Sequence, residues 1–305
     1  MKTYGLPYKG SKDKICEKIC SLFPIKENFY DLFMGGGSIT HYQLLQNQYK
    51  NYYANDFNPL VVKAFEMAIH GKFKNETRWI SHEEFDKLKN VDPYVAFCFS
   101  FGNDLKSYAY GKDVEPYKKA LHYLVVFQDE SLMKEIFPNI DFSFVHKIKD
   151  VNERRLKVKK VIDDLLITSD DNRIRSNESL QSFIQLESCQ RLASIERLAI
   201  YNKSYDEIEI KPNSVVYCDI PYSQTNKYEI SKDFDYEKFY DWCERQTEPC
   251  FISEYSMPKD RFTCIAEIEH RSIICANENQ SVIERVFLPN HQVKDYKIPS
   301  LFDMM

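Results

Sequence analysis

The chain reads as an α/β protein built on an open, mainly parallel sheet, with a largely helical block inserted into it. Three observations predict this. Apolar runs of strand length alternate with amphipathic stretches of helix length near both ends of the sequence. Two of those runs stop at clusters suited to ligand binding, one glycine-rich and one joining an acid, a proline and an aromatic ring. Between about residues 80 and 195 the strand signal gives way to helical periodicity rich in charged and aromatic residues.

Taken from the N-terminus, an amphipathic stretch at 12–22 precedes a strand-like run at 28–33. That run leads into Asp31-Leu32-Phe33-Met34-Gly35-Gly36-Gly37-Ser38 and then a helix-like segment at 39–47, which is strand, glycine turn, helix. Glycines permit positive φ and close backbone approach, so such a turn can wrap a nucleotide-like ligand over a helix N-terminus. The spacing is not G-x-G-x-x-G, which disfavours a dinucleotide. A second strand, 49–56, ends in Asn55-Asp56, where a carboxylate nineteen residues beyond Gly37 can accept hydrogen bonds from ribose hydroxyls. A helix over 58–70 follows. After the helical block come strands at 214–219 and 250–255 with a helix at 236–247 between them. The last two runs, 264–274 and 281–288, flank the polar turn Ala276 to Gln280 and read as an antiparallel hairpin closing the sheet. The implied division is a sheet domain of 1–80 and 196–305 with an insertion of 81–195.

The run Val215-Val216-Tyr217-Cys218 ends in Asp219-Ile220-Pro221-Tyr222. Parallel sheets bind ligands at the carboxyl ends of their strands, so this places an acceptor, a stiff turn and an aromatic face where a planar, amino-bearing substrate such as a nucleobase would sit. Asp and Pro also end ordinary strands, and Tyr often caps a core. The glycine turn and the acid at ribose spacing favour the functional reading.

An F-x-G-x-G loop early and a D-P-P-Y-type motif late resemble the Dam-like adenine-specific DNA methyltransferases, the D12 class with alpha-type motif order, with phage-type and related bacterial members nearest. Tyr8-Lys9-Gly10-Ser11-Lys12 is similar to the family's opening aromatic-x-G-G-K segment, and Phe251-Ile252-Ser253-Glu254-Tyr255 resembles the segment after the next strand. The resemblance implies a Rossmann-like methyltransferase sheet, S-adenosylmethionine as cofactor, and a helical target-recognition insertion. It assigns cofactor contacts to Tyr8, Lys9, Gly10, Lys12, Asp31, Phe33, Gly35, Gly37, Ser38, Asp56 and Asp219, and the reaction to Asp219, Ile220, Pro221 and Tyr222. Ile220 stands where the family has the first Pro. There a backbone carbonyl, with the Asp side chain, accepts hydrogen bonds from the adenine amine, and Ile also has a carbonyl. Two acceptors that draw the amine toward a pyramidal geometry expose its lone pair, and Tyr222 offers a stacking face to a base turned out of the duplex.

Composition is compatible with this. At 305 residues and 43% hydrophobic content the chain can bury a full core, and no segment approaches the ~20 apolar residues of a membrane span. A cytoplasmic protein without a signal segment is expected. Nine cysteines with no C-x-x-C pair fit reduced thiols, and Cys16 and Cys20 are read as packing rather than metal-binding. No metal is expected, and the zinc-deaminase signature is absent. Lys12 beside Lys9 and Lys14 reads, on composition alone, as part of a solvated face.

The net charge of −5 suits DNA only if basic residues cluster. Seven do so between Lys147 and Lys160, Arg154 and Arg155 among them, although such a run is as often a solvated helix face. In Ser100 to Tyr108, Asn103 could read adenine bidentately and Lys106 could meet phosphate. The expected partners are duplex DNA and, in a restriction-modification setting, a cognate endonuclease; the expected unit is a monomer. Methyl transfer to RNA adenine, DNA cytosine or protein glutamine, or a catalytically silent DNA-binding relative, are the competing readings.

Overall fold

The structure is a computed structural model and describes residues 3–165, 178–188, 195–222, 234–271 and 281–296. Within them seven strands form one sheet: β1 (Asn28–Asp31), β2 (Asn51–Asn55), β3 (Leu198–Tyr201), β4 (Ser214–Asp219), β5 (Cys250–Glu254), β6 (Phe262–Arg271) and β7 (Ser281–Pro289). Their order in space is β3-β2-β1-β4-β5-β7-β6. Neighbours from β3 to β5 pair in parallel, and β7 is antiparallel to both β5 and β6. The α/β class and the antiparallel C-terminal strands therefore agree with the sequence. The turn Ala276 to Gln280 lies outside the described residues.

β1 and β5 are buried along their whole length, as is β4 up to Cys218. Helices cover both faces of a parallel sheet, so its strands read as continuous apolar runs, which is why these three are visible in the sequence. β3 is different. Its four residues Leu198-Ala199-Ile200-Tyr201 are half-buried at the sheet's edge, too short and too weakly patterned to register as a strand. On one face Tyr30, Val216, Cys218 and Ile252 pack against Phe239, Trp242 and Cys243 of the helix Tyr236–Glu244. That helix starts where the Asp235 side chain accepts the Lys238 N–H at 3.0 Å, a side-chain N-cap.

The chain divides into two compact units. The first, Met1–Gly5, Ser11–Val62 and Arg191–Met305, carries the sheet. The second, Leu6–Gly10 with Lys63–Gln190, is helical, with the helices Pro93–Phe99, Glu115–His122, Val151–Leu165 and Glu178–Ser188 among its elements. The helical unit thus begins at Lys63, inside the helix Pro59–Ile69, earlier than the boundary at 81 drawn from sequence. Its core gathers Leu121, Leu124, Val125, Met133, Phe142, Val158 and Ile162. Of the two cysteines on the first helix, Cys16–Cys20, both are buried, and burial pushes the Cys16 thiol up to about 12. Among the described residues no helix is long and apolar enough to cross a membrane.

The basic run is only partly a surface. Arg154, expected at the DNA, is 5% exposed. Its guanidinium donates to the carbonyls of Val125 at 2.7 Å, Ile148 at 2.7 Å and Lys149 at 2.9 Å. Burial draws its pKa below the usual arginine value, and no phosphate contact is compatible with this position. Helical periodicity turned residue 154 inward with Val158, while Lys147, Lys149, Lys157 and Lys160 remain exposed. Replacing Arg154 with Leu removes the donor shared by these three carbonyls, one of them fully buried, and is expected to destabilise the helical unit by about 2–4 kcal/mol, read as a lower unfolding midpoint.

Candidate active site

The strand order reverses between β1 and β4, and parallel sheets open a crevice at the carboxyl ends of strands at such a point. Asp31 ends β1, Asp219 ends β4, and Asp56 follows β2. The Asp31 carboxyl is 1% exposed; its Oδ2 accepts the Thr40 hydroxyl at 2.7 Å, and its Oδ1 has no partner among the described residues. Burial, reinforced by the charges of Asp219 and Asp56, pushes its pKa up to about 7. A sheet edge that assembles this much negative charge favours a cation.

The glycine loop is tied down on several sides. The Met34 N–H donates to the Asn55 carbonyl at 2.9 Å, and the Gly35 N–H donates to Asp56 Oδ2 at 2.8 Å. Asp56 Oδ1 accepts the Asn58 N–H at 2.8 Å. Each Asp56 oxygen keeps a second lone pair, so the carboxylate that closes the loop can still accept from a ligand. Gly37, with φ 71°, is left-handed and caps the helix Ser38–Gln46. Gly5 presses against this turn. Its N–H donates to His41 Nδ1 at 2.8 Å, and a Cβ at Gly5 would stand 2.6 Å from the Gly36 oxygen and the Ser38 nitrogen. Burial holds the His41 imidazole down to about 4, which keeps Nδ1 an acceptor at neutral pH. The ring of half-buried Phe33 stacks on Tyr205 at 5.5 Å and meets Phe239 edge-on at 5.7 Å, which ties the loop to the core.

After β4 the chain turns through Ile220 and Pro221. The Ile220 side chain is 2% exposed and belongs to the core beside Cys218 and Met257. The Pro221 carbonyl accepts the Tyr236 hydroxyl at 2.8 Å, which fixes the turn. Lys12 is buried here, not solvated as its charged neighbours suggest. Its ammonium lies 2.8 Å from Asp219 Oδ1, 2.5 Å from the Tyr222 hydroxyl and 3.9 Å from Glu284. Burial would lower its pKa, and the adjoining Asp219 and Glu284 outweigh that, so Lys12 stays charged. Asp219 is pushed up to about 6, by burial first and with Glu284 adding to it, against the pull of Lys12. Among the described residues Asp219 Oδ2 and the Ile220 carbonyl accept no hydrogen bond.

Tyr8, Lys9 and Gly10 belong to the helical unit. There the Tyr8 ring stacks on Phe97 at 6.0 Å, and the Lys9 N–H donates to the Asn103 carbonyl at 3.2 Å. Asn103 cannot make the bidentate adenine contact expected of it, because its amide donates to the Phe97 carbonyl at 2.9 Å and to Ser182 Oγ at 2.8 Å. Lys106 is exposed, whereas Arg155 is half-buried and holds Asn152 Oδ1 at 3.2 and 3.1 Å. Ser38 is buried at the helix start. Two residues were missed from sequence. Phe57, 80% exposed directly after Asp56, has its carbonyl held by the Asn202 amide at 3.0 Å, and its ring stacks on no other ring among the described residues. Glu284, 2% exposed on β7, meets the Tyr222 hydroxyl at 2.7 Å. An acid on the same strand face as the buried Val286 was the signal that could have found it.

A family model described as D12 class N6 adenine-specific DNA methyltransferase matches residues 8–251. No curated protein matches the chain.

Gly5→Ala is expected to lower stability by about 1–3 kcal/mol, since the new methyl meets backbone atoms that cannot yield. Displacing the glycine loop should also weaken ligand uptake there, measurable by titration calorimetry.

Proposed function

The chain belongs to the D12 class N6 adenine-specific DNA methyltransferases, and from that premise we propose that it methylates an adenine turned out of duplex DNA, with Asp219 and the Ile220 carbonyl accepting the hydrogens of the N6 amine. The observation that carries this is the pair of unengaged acceptors, Asp219 Oδ2 and the Ile220 oxygen, at one strand end. Lys12 holds the other carboxylate oxygen at 2.8 Å, which orients Asp219 and keeps it ionised above about pH 6. The adenine amine is a poor nucleophile because its lone pair is delocalised into the ring. Two acceptors on its hydrogens localise that pair toward the methyl donor. Alignment of amine and donor is a positioning effect capable of contributing about 7–11 kcal/mol. The Tyr222 ring gives the extruded base a stacking surface worth about 1–3 kcal/mol.

S-adenosylmethionine fits the residues present: the buried Asp31 Oδ1, unpartnered among the described residues, and the surrounding carboxylates suit a cation, and the absence of a Cβ at Gly5 leaves room for the glycine loop beside it. Bound there, it supplies an electrophilic methyl group on a cationic sulfur. Asp31 would face its charge, Asp56 its ribose, Gly35 and Gly37 its backbone-level contacts, and Phe57 its adenine ring. In the helical unit, Lys106, Lys147, Lys149, Lys157 and Lys160 are exposed and suited to phosphate, so binding to DNA should weaken steeply with salt. We place this activity in the cytoplasm, carried out by a single copy of the chain, with or without a restriction endonuclease of the same specificity.

The direct test is incubation with unmethylated plasmid and methyl-labelled S-adenosylmethionine, followed by digestion to nucleosides. Labelled N6-methyladenine is the expected product, and label in cytosine or none at all would sink the reading. Asp219→Ala should lower turnover by about 100-fold or more while the protein stays folded. Cofactor affinity should depend on pH through Asp31. Its pKa is raised in the fold, so in the free protein its contribution to stability is present below about pH 4 and is lost as pH rises through about 7. The charged form attracts the cation, so affinity should fall as pH drops below about 7, and Asp31→Asn should flatten that step in a binding titration.

A further inference from the structure

Glu284 lies on β7, beyond residue 251 where the family match ends. Strand alternation sets it on the inward face with Val286, yet it is a carboxylate at 2% exposure. A buried acid is costly unless it has defined partners, and the partners here are Tyr222 and Lys12. The contacts of the Tyr222 hydroxyl with Lys12 and the two carboxylates have a preferred direction. An ammonium has donors and no acceptor, so Lys12 must donate to the phenolic oxygen across their 2.5 Å contact. Of the two carboxylates in reach of the phenolic proton, Asp219 Oδ1 lies at 3.4 Å and Glu284 Oε1 at 2.7 Å. The shorter contact wins.

We propose that Glu284 is a positioning residue for methyl transfer: it accepts the hydrogen bond of the Tyr222 hydroxyl, fixes the ring, and so leaves Asp219 a pure acceptor toward the adenine amine. The proposal rests on the reading of Asp219 as amine acceptor. Without Glu284 the phenolic proton would turn to Asp219, the carboxylate would share its charge with a second donor, and the ring would lose its anchor. The groups facing Asp219 are Lys12 from the N-terminal segment, Asp31 from β1, Tyr217 on β4, Tyr222 beyond it, Tyr255 after β5 and Glu284 on β7. Glu284 is the anion closest to the Tyr222–Asp219 pair that the reaction itself does not use.

The test compares Glu284→Gln, close to isosteric, with wild type in the label-transfer assay across pH. At neutral pH kcat should fall about tenfold, the worth of one charge-assisted hydrogen bond, with KM for the cofactor changed less than about twofold. The acid limb, set near 6 by Asp219, should move to lower pH once the neighbouring negative charge is gone. In a Tyr222→Phe background the same substitution should cost little in kcat, because there is no phenolic proton to direct. An equal loss in both backgrounds, or a wild-type rate and limb in Glu284→Gln, overturns the proposal. If thermal unfolding shows Glu284→Gln to be unfolded, Glu284→Asp, which keeps the charge and withdraws the oxygen from the hydroxyl, supplies the kcat comparison between the two Tyr222 backgrounds. A wild-type protein that takes up no S-adenosylmethionine overturns the reading beneath the proposal as well, whereas an active wild type with an unaffected Glu284→Gln overturns the proposal alone.

Discussion

An ammonium group held out of water between carboxylates organises the end of the sheet where the chemistry is expected. Lys12 reaches this position from the start of the chain, Asp219 from the end of β4, and Glu284 from the far antiparallel strand. Removing either side of such a buried pair is costly, on the order of 3–5 kcal/mol, because the survivor is left charged and unsolvated. The interaction can therefore form only if the first residues, the parallel strands and the C-terminal pair are all in place. Its yield in stability over an apolar alternative is small; what it fixes is geometry.

The sheet order makes that geometry possible. Insertion of β7 between β5 and β6 brings Glu284 onto the same sheet edge as Ser253 and Glu254, within reach of the turn after β4. The parallel side does the corresponding work for the glycine loop. β1 and β2 end in register, so the Asn55 carbonyl and the Asp56 carboxylate lie where the backbone amides of Met34 and Gly35 emerge. The loop is thus shaped by neighbouring strand ends before any ligand arrives, and the entropy of ordering it is met in folding rather than in binding.

What could be read from sequence followed from how local each signal is. Asp219, Pro221, Gly35, Gly37 and Asp56 sit at strand ends, where an apolar run breaking into polar or glycine residues announces both the element and the site. β1, β4 and β5 were visible because burial on both faces makes a strand apolar throughout, whereas β3, four half-buried residues at an edge, has no such signature. Charge was the weakest guide. Lys12 and Arg154 both lie among basic neighbours that look solvated, and both are buried, one by carboxylates distant in sequence and the other by carbonyls of its own unit. Asn103 has the right chemistry for a base, but its amide is engaged by Phe97 and Ser182, a pairing that depends on how the helices meet. Glu284 needed knowledge of which strand pairs with which.

The departure at position 220 has a wider meaning. In a proline the ring makes the turn stiff; here the side chain of Ile220 is buried beside Cys218 and Met257, and packing supplies the stiffness instead. The acceptor that this strand end offers beside Asp219 belongs to the main chain and is the same for either residue. What this turn fixes at position 220 is therefore a carbonyl's direction, with the side chain held by the core behind it.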